Sequence, residues 1–213
     1  MKTVDLTHTI SNIMPVYPGT EQPRLSPAST YEADGFKETL ITMFSHTGTH
    51  MDAPAHIFES RTSLDSLPVS HFVGRAVVID CTDLGLGGRI TPERIMKYDE
   101  AESAEFLLFF TGWDKKWGTE DYFGDYPCIT EAAADYILKS GKKGVGLDTI
   151  GIDPISDANL TIHKKLFKEQ DIVVIENLAN LEAVAGRPFT FCALPMKYEN
   201  SDGAPVRAIG ILD

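Results

Sequence analysis

At 213 residues the chain is long enough for one large domain whose core needs no staples. Hydrophobic residues at 43% and charged residues at 23% exclude a disordered, collagen-like or coiled-coil chain. Lys plus Arg number 19 against 31 Asp plus Glu, and the resulting net charge of −12 disfavours nucleic acid and anionic membrane as partners.

The cysteines, Cys81, Cys128 and Cys192, lie far apart, form no CxxC and are odd in number. A reducing compartment is therefore expected rather than a disulfide framework. The first residues carry Asp5 and no apolar signal core, and no run approaches the roughly 18 apolar residues of a membrane span. The expectation is a soluble cytoplasmic protein of a single domain spanning 1–213.

In chain order, 73–80 (VGRAVVID) reads as a strand, short, β-branched and bounded by turn residues. Gly85-Leu86-Gly87-Gly88 lacks the spacing of a phosphate-binding motif and reads as a loop. Thr91 followed by Pro92 predicts a helix running to about Tyr98. Residues 105–111 (EFLLFFT) form a second strand. Thr130 caps a helix over 131–139, with Ala133, Ile137 and Leu138 on its apolar face and Gly141 after its end. Lys142-Lys143 and Lys164-Lys165 read as solvated surface. Strands follow at 144–148, 171–176, 189–195 and 205–212, and a helix starting at Thr161 carries His163, Leu166 and Phe167. Continuous apolar runs suit strands covered on both faces, so the class is α/β with a mixed sheet.

The dense chemistry lies in Ser45 to Phe58, SHTGTHMDAPAHIF. Three of the six histidines and one aspartate, His46, His50, Asp52 and His56, fall within eleven residues. Imidazole with carboxylate is the donor set of Zn²⁺ and its first-row neighbours. A helical zinc-protease reading fails, because Thr47, Gly48 and Thr49 are poor helix formers and no Glu follows His46. In an extended segment the four side chains share one face. A straight strand would hold the His46 and His50 Cα atoms about 13 Å apart, too far for one ion, and Gly48 is the residue able to bend the chain between them. Asp52 is then the third ligand, and Pro54 stiffens the exit and leaves His56 beside the ion as a free base. His8 and His71 are isolated and read as structural.

These residues resemble a known family. His46 to His56 reads HTGTHMDAPAH and fits HxGTHxDxPxH, the hallmark of cyclase-like metal-dependent hydrolases, which include bacterial kynurenine formamidases (arylformamidases) and isatin hydrolases. Asp5-Leu6-Thr7, Met14-Pro15-Val16-Tyr17-Pro18-Gly19, Thr111-Gly112-Trp113 and Asp202-Gly203-Ala204-Pro205-Val206-Arg207 are similar to further family segments, so the likeness spans the chain. The sequence departs from the arylformamidase pattern at Tyr17-Pro18-Gly19-Thr20, where Trp and then Asp are usual, and at Ile57, often Phe.

The resemblance implies a mixed β-sheet or barrel-like core flanked by helices, the swivelling β/β/α arrangement. It also implies one or two divalent ions per chain, Zn²⁺ foremost and Mn²⁺ as the alternative. His46, His50 and Asp52 would hold the first, and Asp52 would bridge to a second held by His163 and Glu176. Glu176 ends an apolar run, where a carboxylate is either paired or coordinating.

His56 would be the acid–base residue in hydrolysis of a small amide by metal-activated water, with N-formylkynurenine the first candidate. Tyr17, Phe44, Phe58 and Trp113 would supply apolar walls. The alternatives are another cyclic amide, lactam or lactone at the same site, and a non-enzymatic metal-stabilised binding protein. The family precedent for assembly is a homodimer or larger oligomer.

Overall fold

A computed structural model describes residues 1–212. Its strands are β1 (Lys2–Asp5), β2 (Arg24–Ser29), β3 (Glu38–Thr42), β4 (His50–Asp52), β5 (Val73–Asp80) and β6 (Arg89–Ile90). They continue as β7 (Phe106–Phe110), β8 (Cys128–Ile129), β9 (Gly144–Leu147), β10 (Val173–Glu176), β11 (Phe189–Pro195) and β12 (Gly203–Leu212). The helices are α1 (Tyr31–Asp34), α2 (Pro92–Ile95), α3 (Glu100–Ser103), α4 (Glu131–Lys139) and α5 (Thr161–Phe167).

The main sheet runs β12-β11-β5-β7-β9-β10-β4, and β4 pairs again with β12, closing a mixed barrel. The β5–β7–β9–β10 portion is parallel, and its crossovers carry α2 to α5. The long β12 makes the closure possible. One edge pairs with β11, while the other holds β4 at Gly203–Pro205 and β1 at Ile209–Leu212.

Continuous apolar strands do fill two cores. Ala76, Val78, Phe106, Leu108, Val173 and Ile175 point to one, with Met51 and Phe191. The alternate residues Val77, Ile79, Leu107, Phe109 and Val174 pack against Ala133 and Ile137 of α4 and Leu166 and Phe167 of α5. Alternation sends successive side chains to opposite faces, so each strand needs apolar residues at every position. A smaller group, Trp113, Tyr122, Tyr126, Cys128 and Ile150, fills the space beyond the carboxyl ends of β7 and β9.

The mixed α/β core matches the expectation, as do the strand at 73–80, the Thr130-capped helix and the helix from Thr161. Thr130 Oγ1 accepts the Ala133 amide at 3.1 Å. Two readings are corrected. The Pro92 helix ends at Ile95, not Tyr98, and the Tyr98 hydroxyl is drawn back to accept the Asp80 amide at 2.9 Å. Lys142 is buried, because its ammonium donates to three carbonyls at the end of α3, Ala101, Glu102 and Ala104, at 2.6, 3.0 and 2.7 Å. An ammonium has three donors, and helix-terminal carbonyls lack partners within the helix. Among the described residues no helix is long and apolar enough to cross a membrane.

Candidate metal centre

The segment at 46–56 bends where its glycine allows. Gly48 adopts φ +66°, and this turn brings the His46 and His50 rings to 5.2 Å between centroids. The carbonyl of Gly48 accepts Nδ1–H of His50 at 2.8 Å, which turns Nε2 into the site toward Asp52. His50 and Asp52 then share one face of β4 while Met51 faces the core. Closing the barrel matters here, since β4 lies between β10 and β12, with Glu176 opposite His50 and Gly203 opposite Asp52. A Cβ on Gly203 would fall inside the contact distance of the His46 ring, so glycine is what lets that ring in.

Asp52 is fully interior and uses both oxygens. Oδ1 lies 2.6 Å from His46 Nδ1 and 3.2 Å from His50 Nε2, and Oδ2 lies 3.3 Å from His163 Nε2. His163 Nε2 is also 3.4 Å from Glu176 Oε1. Three triads result, His46–His50–Asp52 and Asp52–His163–Glu176, which share Asp52, and His46–His56–Asp202, each with donor atoms within 4.8 Å of one another. Donors about 2.1 Å from a tetrahedral ion stand roughly 3.4 Å apart, so most of these separations suit a common ion. The donor chemistry, neutral imidazole with carboxylate, fits zinc or manganese.

Each histidine also has a partner on its other ring nitrogen. His163 Nδ1 donates to Asp153 Oδ2 at 2.7 Å, and the same carboxylate receives the amides of Ile162 and His163 at 2.6 and 3.0 Å. His46 Nε2 donates to Asp202 Oδ2 at 3.0 Å, and Tyr198 and Ser45 donate to the Asp202 carboxylate as well. Outer carboxylates of this kind fix the tautomer and aim the ligating nitrogen. Sequence reasoning assigned no role to Asp153 or Asp202. Asp202 sat inside a quoted motif, whereas Asp153 carried no signal beyond its place ten residues before His163.

The electrostatics ask for a cation. Burial works against charge on His46, yet Asp52 and Asp202 outweigh it and push its pKa up to about 10. Burial likewise opposes charge on His163, but Asp153, Asp52 and Glu176 hold it well above the histidine range. Burial favours the neutral form of Asp52, and His50 and His46 still keep it far below the carboxylate range. In the metal-free site protons occupy places that a divalent ion would take. His56 differs. Burial, aided by His46 and His163 against the pull of Asp52, lowers it to about 4, so it is a neutral base at pH 7. Its ring lies 4.0 Å from that of His46 and 5.9 Å from that of His163.

A cavity of about 420 Å³ opens onto these residues and includes Tyr17, Phe44, Val16, Ile150 and Leu160 in its walls. Phe58 and Trp113 do not line it. Phe58 packs against the core between sheet and helices, and Trp113 is buried with its indole N–H on the Tyr122 carbonyl at 2.9 Å. His8 stacks on Trp117 at 3.9 Å, and His71 meets the Lys143 carbonyl at 3.2 Å, both outside the centre.

The family profile described as putative cyclase matches residues 4–154. A kynurenine formamidase of Bacillus thuringiensis (strain Al Hakam) is 32% identical over 98% of both chains. Isatin hydrolase A from Labrenzia aggregata, solved with benzyl benzoate, superposes with a TM-score of 0.82 at 28% identity, covering 98% of this chain and 93% of that one. A structure described as a potential metal-dependent hydrolase with cyclase activity is 31% identical, with a TM-score of 0.76 over 98% of this chain and 96% of its own.

Proposed function

Because the chain belongs to the putative cyclase family, whose relatives here are metal-dependent amide hydrolases, we propose that it hydrolyses a small N-formyl arylamide, N-formylkynurenine foremost. The carrying observation is Asp52 shared by two ligand triads, with His56 outside those two, grouped instead with His46 and Asp202, and neutral. His46, His50 and Asp52 would hold one ion and Asp52, His163 and Glu176 a second, with zinc as the resident metal and manganese as its substitute. When bound, the metal supplies Lewis-acid polarisation and lowers the pKa of water toward about 7.

The chain's own residues do the rest. His56 takes a proton as water adds to the formyl carbon, then returns it to the nitrogen as the C–N bond breaks. Formate and the free aryl amine leave. An amide nitrogen departs poorly as an anion, so a base held beside the reacting carbon is needed. Tyr17 and Phe44 line the cavity where an aryl ring would lie. A lactam reading of the same site is favoured by the likeness to isatin hydrolase A and by the walls of Val16, Ile150 and Leu160. We place the reaction in the cytoplasm, in keeping with three unpaired thiols.

The test is metal content of the purified protein, followed by N-formylkynurenine turnover before and after chelation. Stoichiometric metal with chelator-sensitive turnover supports the proposal. Metal without turnover moves the substrate to a lactam or lactone, and protein that stays metal-free after supply of Zn²⁺ and Mn²⁺ overturns the reading.

We also propose a homodimer. Strand β3 of the β2–β3 hairpin is exposed along its length, with Leu40 58% and Ile41 51% accessible, and a lone two-stranded hairpin has little stability in water. Light scattering of wild type and of Leu40→Asp tests this, the variant being expected to dissociate.

A further inference from the structure

We infer that Asn177 is a positioning residue that locks the His50 arm of the metal centre to the Glu176 arm. This rests on the metal reading above. Asn177 follows Glu176 directly, is 4% exposed, and turns the chain out of β10 at φ +57°. Asparagine tolerates that left-handed conformation better than most residues.

All its polar groups are used. The backbone amide donates to the Thr149 carbonyl at 2.9 Å, and the backbone carbonyl accepts Thr49 Oγ1 at 2.5 Å. The side chain donates through Nδ2 to the Gly48 carbonyl at 2.9 Å, and its Oδ1 accepts the Tyr122 hydroxyl at 2.7 Å. Gly48 is both the bend of the ligand segment and the acceptor for His50 Nδ1. One residue therefore grips Gly48 and Thr49, immediately before His50, from the strand that presents Glu176.

The hydroxyl of Tyr122 sets the direction of the grip. A donor on Oδ1 leaves the amide N–H aimed at Gly48. Tyr122 is itself fully buried, and its backbone carbonyl accepts the Trp113 indole. Trp113 thereby supports the centre through two intermediaries while remaining outside the cavity.

The chemistry implies a measurable effect. Freed from Asn177, the Gly48 carbonyl can swing, and His50 Nε2 loses its fixed aim. Removing groups that orient a ligating histidine lowers metal affinity by about 10–100-fold. Asn177→Asp keeps size and backbone preference and still accepts from Tyr122, but has no N–H for Gly48. Tyr122→Phe removes one hydroxyl and leaves the aromatic packing.

The experiment is competitive chelator titration of Zn²⁺ and Mn²⁺ into metal-free full-length wild type and both variants, with thermal unfolding of the metal-free proteins in parallel. The expected result is a 10–100-fold rise in the dissociation constant in both variants relative to wild type. Folded variants with wild-type affinity overturn the assignment, as does a loss confined to metal-free stability. If Asn177→Asp fails to fold, Tyr122→Phe decides. A wild type that binds neither ion overturns the metal reading and this assignment with it, whereas wild-type binding with unaltered variants overturns the assignment alone.

Discussion

Glu176 stands directly opposite His50 in the antiparallel pairing of β10 with β4. Residues so paired have their side chains on one face with Cβ atoms roughly 4.5–5.5 Å apart. The register of two short strands therefore sets the distance between two groups that are 126 residues apart in sequence. A slip of one residue would turn every side chain of β4 to the other face and put Met51 where the ligands belong.

Asp52→Ala removes the carboxylate common to the His46–His50–Asp52 and Asp52–His163–Glu176 triads. Metal analysis of the purified variant should find neither ion held at stoichiometric level. Retained metal at wild-type content would contradict the bridging position.

His56→Ala separates binding from proton transfer. Metal content should stay near that of wild type, while kcat falls by about 10²–10⁴-fold, the range for loss of a general acid–base group. Turnover at wild-type rate would remove His56 from the reaction.

Gly203→Ala places a methyl group against the His46 ring, within 2.9 Å of Nδ1. The ring must move off Asp52 and Asp202. A fall in Zn²⁺ affinity of at least tenfold is expected, with far-UV circular dichroism unchanged. Affinity equal to wild type would show that His46 adapts without cost.

The metal-free protein should be most stable near pH 6.5. His46 has its folded-state pKa raised to about 10, so its contribution is complete below the unfolded value of about 6.5 and is lost as pH rises toward 10. His56 is lowered to about 4, so its contribution disappears as pH falls from about 6.5 toward 4. Urea midpoints of chelator-treated protein at pH 5, 6.5 and 9.5 check both limbs, and a midpoint that climbs steadily to pH 9.5 contradicts the assignment for His46.

The candidate ligands were legible where chemistry is dense along the chain. His46, His50, Asp52 and His56 announce themselves by spacing, and Gly48 was identifiable as the bend. Asp153, Asn177 and Asp202 were not assigned, because what they do depends on partners that only the fold supplies: the His163 ring, the Gly48 carbonyl and the His46 ring. The long apolar strands were readable because both faces are covered. The three-residue β4 shows no period of its own, so the barrel-like core came from the family resemblance, and the strand that closes it was not legible in the residues. Lys142 was misread for a related reason, since the helix-end carbonyls that satisfy it leave no mark in composition.

Barrel closure also bears on how the protein matures on the ribosome. β4 finds its neighbours only when residues 173–176 and 203–205 have been synthesised. Such distant pairings delay folding and leave hydrophobic surface open meanwhile. The His46–His56 segment thus emerges early but has neither strand partner for β4 until residues 173–176, and then 203–205, have followed. A nascent chain halted before Gly203 would carry all four histidines of the candidate site without the β12 edge that closes over β4, and loading with metal is expected only after β12 has been made.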